Sequence, residues 1–277
     1  MTREEKIAAL CGKQSYSAED LSEIVSLLRA PGGCPWDAEQ THESIRTSLI
    51  EETYEVVEAI DKKDAELLCE ELGDLWLQII MHIEMEREVG RFSEREVLSG
   101  ICRKLIRRHP HVFGDVVVGS SEEVLRVWDA VKQTEKKREG ITGAMRALPP
   151  GLPALIRARK IASKADREGF AYPDDRAAFA KIEEELDELR EAATAAEQTA
   201  AVQATPEESE EFGDLLFSAV AWARRRGIDA EAALSAACDK FIDRFSRLEA
   251  MEKEDIGRIS REKLAADWEK VKKSPKI

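Results

Sequence analysis

Apolar residues recur along this chain at alternating steps of three and four positions, the spacing that places side chains on one face of an α-helix. The clearest examples run from 68 to 83, with Leu68, Leu72, Leu75, Trp76, Ile79 and Ile83, and from 174 to 196, with Phe179, Ile182, Leu186, Leu189 and Ala193. Strand-like alternation is nearly absent, and the only β-leaning stretch is VFGDVVVG at 112–119. The pattern predicts an all-α protein made of helical bundles.

One segment interrupts the helical pattern more strongly than any other. REGITGAMRALPPGLP at 138–153 combines glycines and prolines, which end helices and form turns. We therefore predict an N-terminal helical domain at 1–139, a linker at 140–153 and a C-terminal helical domain at 154–277. A second polar stretch at 196–208 is interpreted as a loop between helices, with Thr205 and Pro206 beginning the next helix.

The two predicted domains look like one unit used twice. LIEETYEVVEAI at 49–60 matches KIEEELDELREA at 181–192, and EELGDLWLQ at 70–78 matches EEFGDLLFS at 210–218. Two further pairs with a spacing of four residues follow in the same order in each half: Lys104 with Arg108 and Trp128 with Lys132, then Lys240 with Arg244 and Trp268 with Lys272. An internal duplication is the simplest explanation.

Composition narrows the class of protein. The 42 basic and 56 acidic residues give a formal net charge of −14, which disfavours nucleic-acid binding because a phosphate backbone attracts basic surfaces. The five scattered cysteines lack metal-ligand spacing and suit reduced thiols. No apolar run is long enough to span a membrane, and the N-terminus MTREEKIAAL has no signal-peptide core. We expect a soluble cytoplasmic protein that binds neither nucleic acid nor membrane.

Each half carries an E-x-x-E pair on one predicted helix and an E-x-x-D pair on the next. The eight acids are Glu52, Glu55, Glu71 and Asp74 in the first half, and Glu185, Glu188, Glu211 and Asp214 in the second. Residues three apart are neighbours on a helix surface, and all but one of these acids directly precede an apolar residue. They should therefore flank the core face, where two packed helices would bring four carboxylates together.

Four converging carboxylates are expected to stay ionised only if a cation binds them. Two carboxylates about 4 Å apart repel each other by roughly 4 kcal/mol at an effective dielectric constant of about 20. Oxygen ligands alone suit Mg²⁺, with Mn²⁺ as its substitute. Two alternatives stay open. The acids could form solvent-facing salt bridges on bundle helices, or they could bind a di-iron centre, although only one of the two E-x-x-H motifs needed is present, at Glu39–His42.

Several longer motifs occur together in this chain. They are GGCPWDAEQTHESI at 32–45, LIEETYEVVEAI at 49–60, EELGDLWLQIIMH at 70–82, RRHPHVFGD at 107–115 and the two acidic segments of the second half. In this combination the chain resembles the MazG family of nucleoside triphosphate pyrophosphohydrolases, as two tandem MazG-type domains. The resemblance implies an all-α fold, tight dimers, bound Mg²⁺, and hydrolysis of nucleoside triphosphates and their deoxy forms to a monophosphate and pyrophosphate.

The resemblance also implies roles for individual residues. The family's magnesium ligands match Glu185, Glu188, Glu211 and Asp214, and its nucleotide-binding residues match Lys181, Lys240, Arg244, Trp268 and Lys272. The first half keeps all four acids together with Lys104, Arg108, Trp128 and Lys132. However, Ser48 stands where the second half has Lys181. We therefore predict that the second site does most of the catalysis and that the first is weak or silent.

The expected chemistry is attack of water on a triphosphate held by a metal. The acid cluster would hold Mg²⁺, which bridges phosphate oxygens and lowers the pKa of water. Lys181, Lys240 and Arg244 would supply positive charge to the polyphosphate. One carboxylate among Glu184, Glu185 and Glu188 would order or deprotonate the water. Trp268 would stack on the base, which tolerates many bases because each has a π face.

Each assignment has a structural alternative. Lys181 could form an ordinary helix ion pair with Glu185, the pair Lys240 and Arg244 could cover a helix surface, and Trp128 and Trp268 could be core residues. The four histidines are expected in structural roles, and Cys34 lacks the positioned base of a nucleophile. A second class of function also stays open: a helical module that binds nucleotides or a protein partner without catalysis.

Overall fold

The computed structural model describes residues 1–135, 140–198, 203–252 and 256–273; within these ranges the side chains at 125, 129, 132–135 and 258 are not described. The described chain contains fourteen α-helices, a 3₁₀ turn at Ile256–Arg258 and no strand, which confirms the predicted all-α class. In chain order the helices are α1 (Arg3–Cys11), α2 (Ala18–Arg29), α3 (Pro35–Glu39), α4 (Arg46–Lys62), α5 (Ala65–Glu88), α6 (Glu94–Arg108), α7 (Pro110–Phe113), α8 (Ser121–Glu135), α9 (Gly140–Arg146), α10 (Ala154–Arg167), α11 (Asp175–Gln198), α12 (Pro206–Arg225), α13 (Ala230–Met251) and α14 (Arg261–Lys273).

The chain divides into two compact units, Met1–Glu135 and Lys136–Ile277. Helices α1 to α8 belong to the first unit and α9 to α14 to the second. The segment predicted as a linker contains α9, which packs against α10. The exact domain limits given above stay a prediction.

The β-leaning stretch at 112–119 does not form a strand. Its first two residues belong to α7, and the residues from 114 to 119 have no regular structure. Pro110 occupies the first turn of α7, where a missing backbone N–H costs nothing. Because the described residues contain no other strand, this stretch has no partner with which to form a ladder.

The first unit is arranged around α5. Helix α4 packs along it, and α2 packs against its C-terminal half. Asp64 begins α5 by accepting hydrogen bonds from the backbone N–H groups of Glu66 and Leu67. The main cluster of buried apolar side chains comes from α2, the turn before α4 and the second half of α5: Val25, Ile45, Ile80, Met81, Ile83 and Met85. This core fixes the position of α5, whose first half carries two of the acids.

The segment 34–42, which contains the CPWD…EQTH motif, is anchored to the first unit at two points. The first anchor is Arg29, whose guanidinium donates hydrogen bonds to the backbone carbonyls of Asp37 and Gln40 at 2.6 and 3.2 Å. Arg29 also forms an ion pair with Glu88 at 2.8 Å, and its side chain is only 5% exposed. The guanidinium donors of this buried arginine therefore have hydrogen-bond partners, and the side chain holds the segment in place.

The second anchor is a pair of histidines. Nδ1 of His42 lies 2.7 Å from Nδ1 of His82, and Nε2 of His42 lies 2.8 Å from Oε1 of Glu86. The two rings stack with centroids 5.0 Å apart, and Arg91 donates to Glu86 at 3.1 Å. These contacts give both histidines the structural role predicted from the sequence.

The second unit repeats this arrangement with a different core. Helix α11 packs along α12, and α10 packs against α12 in the way that α2 packs against α5. The buried apolar residues of α10, α11 and α12 are mostly small: Ala162, Ala178, Ala196, Val220, Ala221 and Ala223. Small side chains let helix axes approach closely. Thr205 begins α12 with a reciprocal capping box to Glu208, as the Thr205-Pro206 sequence predicts.

The predicted apolar stripes are only partly buried within one chain. On α5 the side chains of Leu72, Trp76 and Ile79 stay 48%, 48% and 45% exposed, and on α11 Phe179 stays 45% exposed. The expectation that these stripes lie in the core is therefore wrong for the single chain. The reason is geometrical: a neighbouring helix covers one side of a wide stripe and leaves the other side open.

None of the described helices combines the length and the apolarity that crossing a bilayer requires.

Candidate metal and nucleotide site

In the first unit, the acids lie on the two helices that pack along each other. Glu52 and Glu55 lie on α4, and Glu71 and Asp74 lie on α5. Carboxylate oxygens of Glu52, Glu55 and Glu71 lie within 4.8 Å of one another. Asp74 is exposed and stays outside this group, although its charge acts on Glu52. The helix pair thus brings together three of the four predicted ligands.

The second unit forms a corresponding cluster between α11 and α12. Carboxylate oxygens of Glu185, Glu211 and Asp214 lie within 4.8 Å of one another. Glu188 is not part of this group, but Glu185 is close enough to contribute to its raised pKa. Every donor is a carboxylate oxygen, the ligand type that Mg²⁺ and Mn²⁺ prefer. The residues of both clusters therefore fit a hard divalent cation.

Burial and mutual repulsion disfavour the ionised form of several of these carboxyls. Burial raises the pKa of Glu52, and the charges of Asp74 and Glu55 raise it further. The pKa of Glu71 is raised by burial and then by Glu55, and that of Glu188 by burial and then by its hydrogen bond with Glu185. A bound cation would reverse this penalty by favouring the ionised forms.

Lys181 gives the second cluster a positive charge at a position where the first half has Ser48. Its ammonium donates to Oε1 of Glu184 at 2.7 Å and lies 2.8 Å from Oε1 of Glu185. These two hydrogen bonds raise the pKa of Lys181 well above its ordinary value, so it is always charged. The ion pair with Glu185 is the contact that sequence analysis gave as the structural alternative to a nucleotide-binding role for Lys181. In the first unit, the corresponding position is Ser48, which has no charge.

Glu185 lies deeper than the sequence pattern predicts. Its side chain is only 6% exposed, whereas the neighbouring Leu186 is 36% exposed. We expected the acids to flank an apolar core face, but on α11 the buried positions are Ala178, Ala196 and Glu185 itself. The small residues of this interface leave room for a carboxylate between the helices, and the ion pair with Lys181 offsets the cost of burying its charge.

In the first unit, the predicted nucleotide-binding residues lie on α6 and α8, which pack against each other. The buried guanidinium of Arg108 lies 5.3 Å from the ring centroid of Trp128, in a cation–π arrangement. Lys104 is exposed one turn earlier on α6. The side chain of Lys132 lies outside the described residues. Arg108 and Trp128 are thus held together.

In the second unit, the corresponding residues lie on α13 and α14. Helix α13 packs both against α14 and against α12, which carries Glu211 and Asp214. Lys240 is exposed and Arg244 half-buried on α13, and half-buried Trp268 lies on α14. Lys272 forms an ion pair with Glu269 at 2.5 Å.

An aromatic residue that sequence analysis missed contacts Trp268. The ring centroids of Phe241 and Trp268 are 5.1 Å apart, and Phe241 also stacks on Phe245 at 6.1 Å. Phe241 follows Lys240 directly, whereas Leu105 follows Lys104 in the first half. This difference between the two repeats is the feature of the sequence from which Phe241 could have been identified. The second unit therefore has a larger aromatic surface beside its basic residues.

Comparison with known proteins agrees with this geometry. The family model of the MazG nucleotide pyrophosphohydrolase domain matches residues 40–113 and again residues 175–248. These two matches contain the four acids of the first unit and the four acids of the second.

Individual relatives align over nearly the whole chain. A Thermotoga maritima protein named nucleoside triphosphate pyrophosphohydrolase/pyrophosphatase MazG is 42% identical over 92% of this chain and 95% of its own length. A nucleoside triphosphate pyrophosphohydrolase of Escherichia coli K12 is 39% identical over 90% of this chain and 95% of its own length. A Bacillus subtilis protein, YabN, is 38% identical over 91% of this chain, which is 50% of its own length. The chain therefore belongs to the MazG family of nucleotide pyrophosphohydrolases, with two MazG domains in tandem.

Proposed function

We propose that this chain hydrolyses nucleoside triphosphates and deoxynucleoside triphosphates between the α- and β-phosphates, mainly at the Mg²⁺ site of the second unit. The observation that carries this proposal is the convergence of Glu185, Glu211 and Asp214 beside the charged Lys181. Family membership supports the reaction, since its relatives are named nucleoside triphosphate pyrophosphohydrolases.

The reaction needs an attacking water, a base and charge neutralisation. Water attacks the α-phosphorus, the bond between that phosphorus and the bridging oxygen breaks, and pyrophosphate leaves with the bridging oxygen. Mg²⁺, when bound, supplies charge neutralisation at the phosphates and acidifies water. Among Glu184, Glu185 and Glu188, the last suits the base best, since it lies outside the group of converging oxygens. Glu184 is held by Lys181, and Glu185 is buried.

The remaining residues bind the nucleotide. Lys181, Lys240 and Arg244 neutralise the polyphosphate, and Lys272 adds charge at its edge once released from Glu269. Trp268, extended by Phe241, stacks on the base. Stacking makes little distinction between bases, so we propose a broad range of nucleotides.

An assay of product identity tests the proposal. The purified protein would be incubated with several ribo- and deoxyribonucleoside triphosphates, with Mg²⁺, with Mn²⁺ and with a chelator. We expect monophosphate and pyrophosphate in the presence of metal only. Diphosphate and orthophosphate would place the cut elsewhere. Binding of nucleotide without any product would favour the alternative, a helical binding module.

We also propose that the protein is a cytoplasmic homodimer with no nucleic-acid partner. The exposed apolar residues of α4, α5, α11 and α12 are the kind of surface that a second copy covers. The net charge of −14 disfavours nucleic acid. All five cysteines are unpaired thiols, which suits a reducing compartment.

A further inference from the structure

Lys181 occupies the edge of the second acid cluster. Its ammonium lies between Oε1 of Glu184 and Oε1 of Glu185, at 2.7 and 2.8 Å. The two carboxylates differ in their surroundings, since the side chain of Glu184 is 58% exposed and that of Glu185 is 6% exposed. Only Glu185 belongs to the group of converging oxygens. Lys181 is therefore bound both to the cluster and to an acid outside it.

A divalent cation and the ammonium cannot share Glu185 without conflict. Magnesium binds a carboxylate oxygen at about 2.0–2.1 Å, so a cation on this carboxylate would lie within about 5 Å of an ammonium that stayed in place. The two positive charges would repel each other beside the buried carboxylate of Glu185, on the side of α11 that packs against α12. Lys181 has four rotatable side-chain bonds and a second partner on the surface, Glu184. The ammonium can therefore leave Glu185 without losing its charge or becoming unpaired.

Among the residues that the structure describes, no ammonium pairs with the first cluster in this way. Ser48 replaces Lys181, and the pKa values of Glu52 and Glu71 are raised by burial and by neighbouring acids, with no lysine among the causes. The two clusters differ in which acids converge, and they also differ in charge compensation: in the second, an ammonium of the chain compensates the charge of a buried carboxylate. The difference in compensation arises from a single position of the repeat, Ser48 against Lys181.

We propose that Lys181 is an internal counter-ion which a divalent cation displaces from Glu185, and that the displaced ammonium then binds the polyphosphate. This inference rests on the proposed function, because it uses the second cluster as the metal site. It adds a coupling: metal alone binds weakly because it must displace Lys181, and nucleotide strengthens metal binding because it gives the displaced ammonium a new partner.

Calorimetric titration with Mn²⁺ tests the coupling without measuring turnover. The background would be the Glu52→Gln/Glu55→Gln protein, in which the second cluster is the intact one. Mn²⁺ would be added to this protein and to its Lys181→Met derivative, each with and without an α,β-methylene triphosphate that cannot be cleaved. Without nucleotide, we expect Lys181→Met to bind Mn²⁺ about tenfold more tightly. With the analogue, we expect this gain to vanish or to reverse.

Arg190→Met is the matched control. Arg190 pairs with Asp187 at 2.7 Å on the same helix, at a spacing of three residues, and Asp187 is outside the acid cluster. We expect its Mn²⁺ affinity to equal that of the background. Circular dichroism would check folding, and Lys181→Gln would replace Lys181→Met if the methionine variant did not fold.

Two results would overturn the inference. An equal gain in Mn²⁺ affinity with and without the analogue would mean that the charge of Lys181 repels the metal but that its ammonium does not move from Glu185 to the nucleotide. No gain at all, or no Mn²⁺ binding to the background protein, would exclude displacement. Failure of the proposed function looks different: the titrations could show the full coupling while no pyrophosphate is released from any triphosphate.

Discussion

At the scale of single residues, the two acid clusters differ in how their negative charge is balanced. In the second cluster Lys181 compensates Glu185 directly, at 2.8 Å. In the first cluster, burial raises the pKa of Glu52 and of Glu71, and the charges of neighbouring acids raise both pKa values further. Removing a carboxylate charge should therefore have opposite effects on the stability of the metal-free protein in the two clusters.

We predict that Glu52→Gln raises the melting temperature of the metal-free protein by about 1–2 °C, because it removes a repelling charge. Scanning calorimetry in a chelating buffer near neutral pH would measure the shift. Glu51→Gln, on the exposed side of the same helix, is the control and should change little. A lower melting temperature for Glu52→Gln than for the control would show that the carboxylate is stabilised in the fold, contrary to the geometry.

His82 predicts how the stability of the first unit depends on pH. Burial lowers the pKa of His82, and the adjacent His42 lowers it further. The groups seen to contact this pair are Glu86, which binds His42, and Arg91, which binds Glu86. Because the folded pKa lies below the unfolded value of about 6.5, the unfolded chain binds more protons as the pH falls through that value. The contribution of His82 to stability is thus present above about pH 6.5 and is lost on acidification.

The matched variant is His82→Gln, which has no titrating ring. Melting temperatures would be compared between about pH 7.5 and about pH 5.5. We expect the wild-type protein to lose more stability over this range than the variant does, whatever their difference at neutral pH. Parallel curves for the two proteins would show that His82 does not titrate differently in the folded and unfolded states.

At the scale of helices, the duplicated pair α4–α5 and α11–α12 is the framework of both sites. Each pair brings three carboxylates within 4.8 Å, so metal binding by itself does not distinguish the two units. Two features do distinguish them: Lys181 against Ser48, and the aromatic contact of Phe241 with Trp268 against the cation–π pair of Arg108 with Trp128.

We predict that Glu185→Gln/Glu188→Gln removes most pyrophosphate release and that Glu52→Gln/Glu55→Gln removes little. The reason is that the first site lacks a charge-assisted contact worth roughly 1.5–3 kcal/mol, or about ten- to a hundredfold in rate. Initial rates of pyrophosphate release with Mg²⁺ would be compared for both full-length variants. If the changes in the first unit abolish activity and those in the second do not, the working site has been assigned to the wrong unit.

At the scale of the whole molecule, exposed apolar surface is the main observation. Apolar side chains on the central helices stay exposed within one chain: Tyr54, Val57, Ile60, Leu72, Trp76 and Ile79 in the first unit, and Phe179, Phe212, Leu216 and Phe217 in the second. Water contact with so much apolar surface is unfavourable, and a second copy would relieve it.

We predict that sedimentation velocity finds a homodimer at assay concentrations. Trp76→Glu, on the exposed face of α5, should weaken the dimer because it places a charge in a buried interface. Tyr16→Glu, at an exposed aromatic of the first unit outside these helices, is the control and should leave the dimer intact. A stable monomer with full activity would contradict the prediction.

Local sequence determined much of this protein, because helix periodicity, capping and a duplicated motif are properties of neighbouring residues. The alternating spacing predicted α5 and α11, Thr205 and Pro206 predicted the start of α12, and the E-x-x-E and E-x-x-D spacing placed each pair of acids on one helix face. Family resemblance extended these observations to a reaction and to single residues.

Tertiary structure alone decided which of those residues meet and how deeply they lie. It leaves Asp74 and Glu188 outside the converging groups, buries Glu185 between α11 and α12, and exposes Leu72 and Trp76, which the pattern had assigned to a core. The physical reason is that periodicity defines a helix face but not the partner that covers it. Packing between helices determines that partner, and a wide apolar face can be completed by a second chain.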